Sequence, residues 1–265
     1  MAPYTYAVVD EAQDLSVPQL RFLAALGQAR PDALFFAGDT GQRIFQQPFS
    51  WKALGIDIRG RSKSLRVNYR TSHQIRSQAD RLLEPEGRDA DGEVERRDAV
   101  SVFSGPPPDV WVKPDAETES ADVGRWLRER LDAGLAPHEC AVFVRSEAQL
   151  PRAQAAIAAA GATARVLDGK IDVRSGAIQV CTMHLAKGLE FRAVAVMACD
   201  DEVLPLQERI EAVGDDGDLV ETYNTERQLL YVACTRARDF LLVSGCEPAS
   251  EFLDDLAPTR SANTG

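Results

Sequence analysis

Asp10 and Glu11 stand directly after the apolar run Tyr6-Ala7-Val8-Val9, so a strand would hold two adjacent carboxylates at its end. An aspartate so placed can hold Mg²⁺ through water, and the neighbouring glutamate can take a proton from an attacking water. On its own, an acidic pair after a strand is more often a helix cap. Arg70 and Arg236 offer the complementary chemistry, because a guanidinium is planar, always charged and forked, and stabilises charge spread over phosphate oxygens. The plainer reading of each arginine is a surface ion pair. His184 read alone is a core histidine bonded to backbone. Phe45 and Trp51 precede a basic stretch, Arg59, Arg61, Lys63 and Arg66, and stacking faces beside positive charge are what a single strand of nucleic acid requires. Trp51 reads nearly as well as core packing, the basic stretch as a solvated strand edge, and Trp111, Trp126 and Tyr231 as core.

Those residues must be held by elements that the hydrophobic pattern outlines. The strand before Asp10 is followed by a helix from Val17, with Leu20, Leu23 and Ala24 on one face, and by a strand over residues 33–37 that ends at Gly38-Asp39. This is a piece of a parallel α/β sheet, whose sites lie beyond the carboxyl ends of its strands. Residues 1–58 show only two strands, too few for a complete domain of that type. Residues 84–118 are charged and rich in Gly and Pro, with Pro106-Pro107-Pro108 at the centre, and read as a loop-rich linker with one strand at Val110-Trp111-Val112. The α/β alternation then resumes. A helix from about Glu119 carries Val123, Trp126, Leu127 and Leu131 and ends at Gly134; strands follow at residues 141–144, 178–181, 193–197 and 240–243, with helices at residues 150–160 and 225–238. Residues 59–250 thus read as a nearly complete second α/β unit, and residues 251–265 as a tail without a strong signal. The run Asp200–Glu226 holds ten acidic side chains and reads as a solvated loop.

Five longer strings carry a family resemblance. Asp10-Glu11-Ala12-Gln13-Asp14 after its strand is, letter for letter, the second conserved motif of the UvrD/Rep-type superfamily 1 helicases. Gly38-Asp39-Thr40-Gly41-Gln42-Arg43-Ile44-Phe45 is similar to their G-D-x-x-Q-x-I-[YF] motif, and Leu65-Arg66-Val67-Asn68-Tyr69-Arg70-Thr71 to L-x-x-N-Y-R-[ST]. Thr182-Met183-His184-Leu185-Ala186-Lys187-Gly188-Leu189-Glu190-Phe191 resembles T-x-H-x-x-K-G-L-E-[FW]. Glu226-Arg227-Gln228-Leu229-Leu230-Tyr231-Val232-Ala233-Cys234-Thr235-Arg236-Ala237 resembles E-x-R-x-L-x-Y-V-A-x-T-R-A. The resemblance implies RecA-like parallel sheets of the P-loop NTPase fold, with a partial first motor domain followed by a nearly complete second one. It also implies ATP and Mg²⁺ as cofactors and single-stranded DNA as partner, with movement 3′ to 5′. By residue it implies Asp10 as the water-mediated Mg²⁺ ligand, Glu11 as base, Gln42 as sensor of the terminal phosphate, and Arg70 and Arg236 as γ-phosphate ligands. Gly188 and Glu190 would lie near the nucleotide, Thr182 and His184 on the single strand, and Phe45 and Trp51 against bases.

Composition narrows the setting. The 265 residues contain 30 Lys and Arg against 41 Asp and Glu, a net charge of −11, so any contact with a polyphosphate must come from a local groove. The five cysteines are scattered without C-x-x-C spacing, which fits a reducing, cytoplasmic setting. No window has the roughly 18 uninterrupted apolar residues of a membrane span. The phosphate cradle of the family, G-x-x-x-x-G-K-[ST], does not occur in the 265 residues. Three readings follow: the C-terminal part of an ATP-driven DNA translocase that needs a missing N-terminal motor portion in cis or trans, a non-catalytic DNA-binding or regulatory subunit that keeps the fold, or an inactive truncated product.

Overall fold

The computed structural model describes residues 4–27, 32–39, 42, 51–56, 61, 63, 65–83, 86–88, 94–96, 100–167 and 176–257. Its contacts divide the chain into two units, Met1–Arg66 with Glu84–Ala99, and Val67–Leu83 with Val100–Gly265.

In the first unit, β1 (Ala7–Val9) and β2 (Leu34–Phe36) pair in parallel and are joined through α1 (Val17–Gly27). Leu20 and Ala24 come together on α1 because they are four residues apart, and they bury against Ile56. Leu15, Phe36, Trp51 and Leu54 pack around them. Strand side chains alternate between faces, and the register partners Val8 and Phe35 share one that is left 76% and 63% exposed.

The second unit opens with β3 (Val67–Asn68) and α2 (His73–Ala79), whose N-cap Ser72 accepts the Ile75 N–H at 3.4 Å. Between them and the rest of that unit, β4 (Glu86–Arg88) and β5 (Val94–Arg96) form an antiparallel hairpin that groups with the first unit, inside the stretch read as linker. β6 (Val100–Ser101) returns to pair with β3. The remaining elements are β7 (Asp109–Lys113), α3 (Ala116–Asp132), β8 (Cys140–Val144), α4 (Leu150–Ala159), β9 (Ala164–Val166), β10 (Ile178–Thr182), β11 (Phe191–Val196), α5 (Gln207–Glu211), α6 (Asp216–Cys234), β12 (Ala237–Cys246) and α7 (Phe252–Leu256).

Six of these strands form one sheet in the order β7-β12-β11-β8-β10-β9, with every pair parallel. β8 lies inside it with all five residues buried, which is why its sequence runs Cys-Ala-Val-Phe-Val without alternation. α3 starts one turn before the sequence pattern suggests, because Asp115 caps it by accepting the Thr118 N–H at 2.7 Å. Val123, Trp126 and Leu127 of α3 and Ala153, Ala156 and Ile157 of α4 bury against β8, β10 and β11.

Two expectations need correction. The acidic run is not a solvated loop: α5 and the first half of α6 lie within it, and Leu204 and Glu226 are fully buried. The acidic residues that open α6 favour its N-terminus, and Asp215 caps it through the Asp218 N–H at 2.9 Å. The second concerns the tail from residue 251, where the sequence shows no strong signal and the structure has the helix α7. Phe252, Leu253 and Leu256 of α7 are buried, Arg81 donates to the Ala257 carbonyl at 2.9 Å, and Arg227 of α6 pairs with Asp255.

All five cysteines are buried free thiols. Burial pushes Cys140, Cys181 and Cys234 up to about 12, Cys246 to about 11, and Cys199 well above the ordinary range.

Candidate functional site

In the first unit the chain leaves β1 through Asp10, whose Oδ1 accepts the Glu11 N–H at 2.9 Å. Glu11 sits at φ 52°, a left-handed conformation that turns the chain sharply into a short 3-10 turn at Ala12–Asp14. The Ala12 N–H donates to the Ala37 carbonyl at 2.9 Å, fastening that turn to the end of β2. Gln13, buried to 3%, donates through Nε2 to the Glu11 carboxylate and accepts the Asp39 N–H on Oε1 at 3.0 Å. Gln42 in turn donates to Asp39 Oδ2 at 2.8 Å. Glu11, Gln13, Asp39 and Gln42 therefore form one hydrogen-bonded string. Asp10 and Glu11 are exposed, and among the described residues no group of three or more His, Cys, Asp or Glu could hold a metal. One exposed carboxylate fits an ion bound mainly through water and phosphate oxygens. Trp51 lies against Phe36 with ring centroids 5.0 Å apart, packed on the small core of this unit. Phe45 lies outside the described residues.

In the second unit three motifs meet where β11 and β12 begin. The Asn68 side chain accepts the Arg70 N–H at 2.8 Å and the Thr71 N–H at 3.2 Å, an Asx-type turn that sets the backbone of Arg70. Thr71 Oγ1 donates to the Thr235 carbonyl at 3.4 Å, the Ser72 N–H to the Arg238 carbonyl at 3.1 Å, and the Phe191 N–H to the Arg236 carbonyl at 3.0 Å. Arg70 Nε then reaches Glu190 Oε2 at 3.0 Å, both side chains close to half exposed. Arg236 differs from Arg70. It is 1% exposed, and its guanidinium donates to the Val232 carbonyl at 3.0 Å and to Thr235 Oγ1 at 3.2 Å, satisfying the end of its own helix.

The segment that joins Thr182 to Glu190 runs from the carboxyl ends of the strands back to their amino ends. β10 and β11 both pair in parallel with β8, so residues 183–190 must return from the end of β10 to the start of β11. They do so by a 3-10 turn at Met183–Ala186, with Met183 and Ala186 buried, and by Gly188 at φ 79°, a conformation that disfavours any side chain. Thr182 and His184 are thus at one end of the strands, and Gly188 and Glu190 at the other.

Beside His184 lies an ionic cluster that the sequence reading missed. Arg145, just after β8, grips Glu226 of α6 with two hydrogen bonds, Nε at 2.5 Å and Nη2 at 2.6 Å, both residues being buried. Arg209 of α5 adds a third at 2.8 Å, and the Leu206 N–H a fourth at 3.3 Å. Burial holds the His184 imidazole below its usual 6.5, Arg145 and Arg209 push the same way, and Glu226 opposes them. A glutamate among apolar helix positions was the available signal; nothing marked its partners. A second buried network joins Arg152 of α4 to Glu119 and Asp200, and Ser244 donates to Glu119 at 2.6 Å.

An all-parallel six-stranded sheet flanked by helices is consistent with a RecA-like fold. Comparison with known proteins agrees: residues 162–248 match the family model of the UvrD-like helicase C-terminal domain, and the motif resemblance to UvrD/Rep-type helicases is borne out. The chain is 37% identical over 95 residues to the ATP-dependent DNA helicase UvrD1 of Mycobacterium leprae, covering 32% of this chain and 11% of that protein. It is 24% identical over 247 residues to a probable DNA helicase of Mycoplasma pneumoniae, covering 90% and 43%. A crystal structure titled as the C-terminal domain of a possible DNA helicase from Lactobacillus plantarum superposes with a TM-score of 0.47 at 22% identity, over 72% of this chain and 94% of that one. The chain spans less than half the length of these two curated relatives. Among the described residues no helix is long and apolar enough to cross a membrane.

Proposed function

We propose that this chain is the C-terminal part of an ATP-dependent DNA helicase or translocase that acts on single-stranded DNA in the cytoplasm, with 3′ to 5′ movement as the resemblance implies. The observation that carries the reading is the convergence of Arg70, Glu190 and Arg236 at the starts of β11 and β12, from positions up to 166 residues apart. A purely scaffolding protein has no need of it. Bound ATP and Mg²⁺ would supply the reacting phosphoryl group and its counter-charge. The chain's own groups would divide the remaining work: Asp10 would hold the ion through water, Glu11 would take a proton from the attacking water, Gln42 would read the terminal phosphate, and Arg70 and Arg236 would neutralise it. Thr182 and His184 contact the single strand, and Phe45 and Trp51 offer stacking faces. The phosphate cradle would come from a further motor portion, which the exposed Val8 and Phe35 face of the first unit also suits.

A second reading, a non-catalytic DNA-binding subunit, is favoured by the burial of Arg236. Steady-state ATP hydrolysis with and without a single-stranded oligonucleotide separates the two. The chain alone should turn over little ATP. Joined in cis or in trans to a portion bearing the cradle, it should gain strand-stimulated hydrolysis that falls by about 10³ to 10⁵ when Arg70 or Arg236 becomes Ala. Strand binding without any strand-stimulated hydrolysis in the completed protein would hand the case to the binding subunit, whereas full turnover by Arg236→Ala would remove the phosphate role of that residue.

A further inference from the structure

We propose that Arg209 is a phosphate contact for the single strand, held for that task by the buried Glu226. The inference rests on the single-strand reading of Thr182 and His184 and adds a residue from a segment that no motif covers.

Arg145 and Arg209 both bond the one carboxylate of Glu226, so the cluster sums to one excess positive charge. Concentrating that charge beside a buried carboxylate is unfavourable unless an anion offsets it. Arg145 already bonds Glu226 through two guanidinium nitrogens and is 3% exposed, so it has no free face. Arg209 makes a single bond to Glu226 through Nη1 and keeps 40% of its side chain exposed. The excess charge therefore meets solvent at Arg209. Its position is restrained as well, because one nitrogen is tied to a residue that cannot move, which lowers the entropy cost of presenting the others.

Location supplies the ligand class. Arg145 directly follows Val144, the register partner of Thr182, and bonds Glu226, which Arg209 also bonds, so the cluster lies at the end of the sheet where β10 finishes in Thr182. His184 offers a polar contact there, and the backbone charge of a strand is left for Arg209 to meet. The acidic neighbours on α5, Glu208 and Glu211, lie about 100° and 200° around the helix from Arg209. In a chain of net charge −11, a local positive point of this kind is what a polyanion would require.

The test is a binding titration of the full chain with a fluorescent oligothymidylate of about 20 nucleotides, repeated between about 50 and 200 mM salt. Arg209→Gln keeps a donor for Glu226 and removes the charge; Arg209→Lys keeps the charge. The Gln variant should bind several-fold more weakly at the lowest salt, with a log–log salt slope shallower by about 0.7, the loss of one single-strand phosphate contact. The Lys variant should keep the wild-type slope. Thermal melts of both should match wild type, because Arg145 still pairs Glu226. Equal slopes for all three proteins would overturn the proposal while leaving single-strand binding intact. A wild-type chain that fails to bind at the lowest salt would instead sink the single-strand reading, and this inference with it.

Discussion

Arg236 and His184 show how a motif residue can sit in its expected place without displaying its expected chemistry. Arg236 is 1% exposed and donates to the Val232 carbonyl and Thr235 Oγ1, so its surroundings must open before a phosphate can reach the guanidinium. Arg70 is half exposed on Glu190 and faces a lower barrier of the same kind. For His184 the consequence concerns pH. Its folded pKa lies below the ordinary 6.5, so the unfolded chain takes up the proton first as the medium is acidified. The stabilisation is complete above about pH 6.5 and is lost as pH falls through the interval down to the folded value. Denaturant melts at pH 7.5 and pH 5.5 should show a smaller acid-side loss for His184→Gln than for wild type. Equal losses would mean that the imidazole titrates normally. At this scale the sequence was informative about identity and silent about environment. Asp10, Glu11, Gln42, Arg70, Glu190 and Arg236 were all legible as motif letters. That Arg236 is buried is not written in local pattern, nor is the bond between Gln13 and Asp39, 26 residues apart, that wires Glu11 to Gln42.

Helices and strands were easiest to read where one face is apolar, and hardest where charge dominates. β8, β10, α3 and α4 follow from their hydrophobic runs and periodicity, with boundaries off by one to three residues. α6 was recognised only in its second half, because its first turns are acidic; Asp215, Asp216 and Asp218 are a helix start rather than a loop. Glu226 is the residue at which the acidic half becomes the buried half. Truncating one partner of a buried pair leaves the other uncompensated, so Glu226→Ala should cost about 3–5 kcal/mol in denaturant unfolding, with Arg145 and Arg209 left facing each other. A loss below 1 kcal/mol would show that water reaches this cluster freely. Arg145→Met should cost less than the glutamate change if its apolar stem fills most of the space.

The two units of the molecule differ in how much apolar surface they remove from water. Among the described residues, the first unit has a buried cluster of only Leu20, Ala24 and Ile56, while the second has a continuous core from α3 and α4 through the sheet. Limited proteolysis should therefore cut within residues 4–56 well before residues 100–257, read by mass spectrometry of the surviving fragments. Equal resistance would show the first unit to be as firmly folded as the second. The thiols have a practical consequence at this same scale. Since all five are buried and their pKa values are raised by burial, hardly any thiolate exists at neutral pH to attack an alkylating dye. A chromogenic disulfide reagent should count almost none in the native chain and all five after denaturation. The chain is then already a clean background for site-specific fluorophores. Cysteines placed at the exposed Ala25 and Ala133 would be the only fast-reacting handles, and energy transfer between dyes on them would follow one unit against the other as nucleotide or oligonucleotide is added.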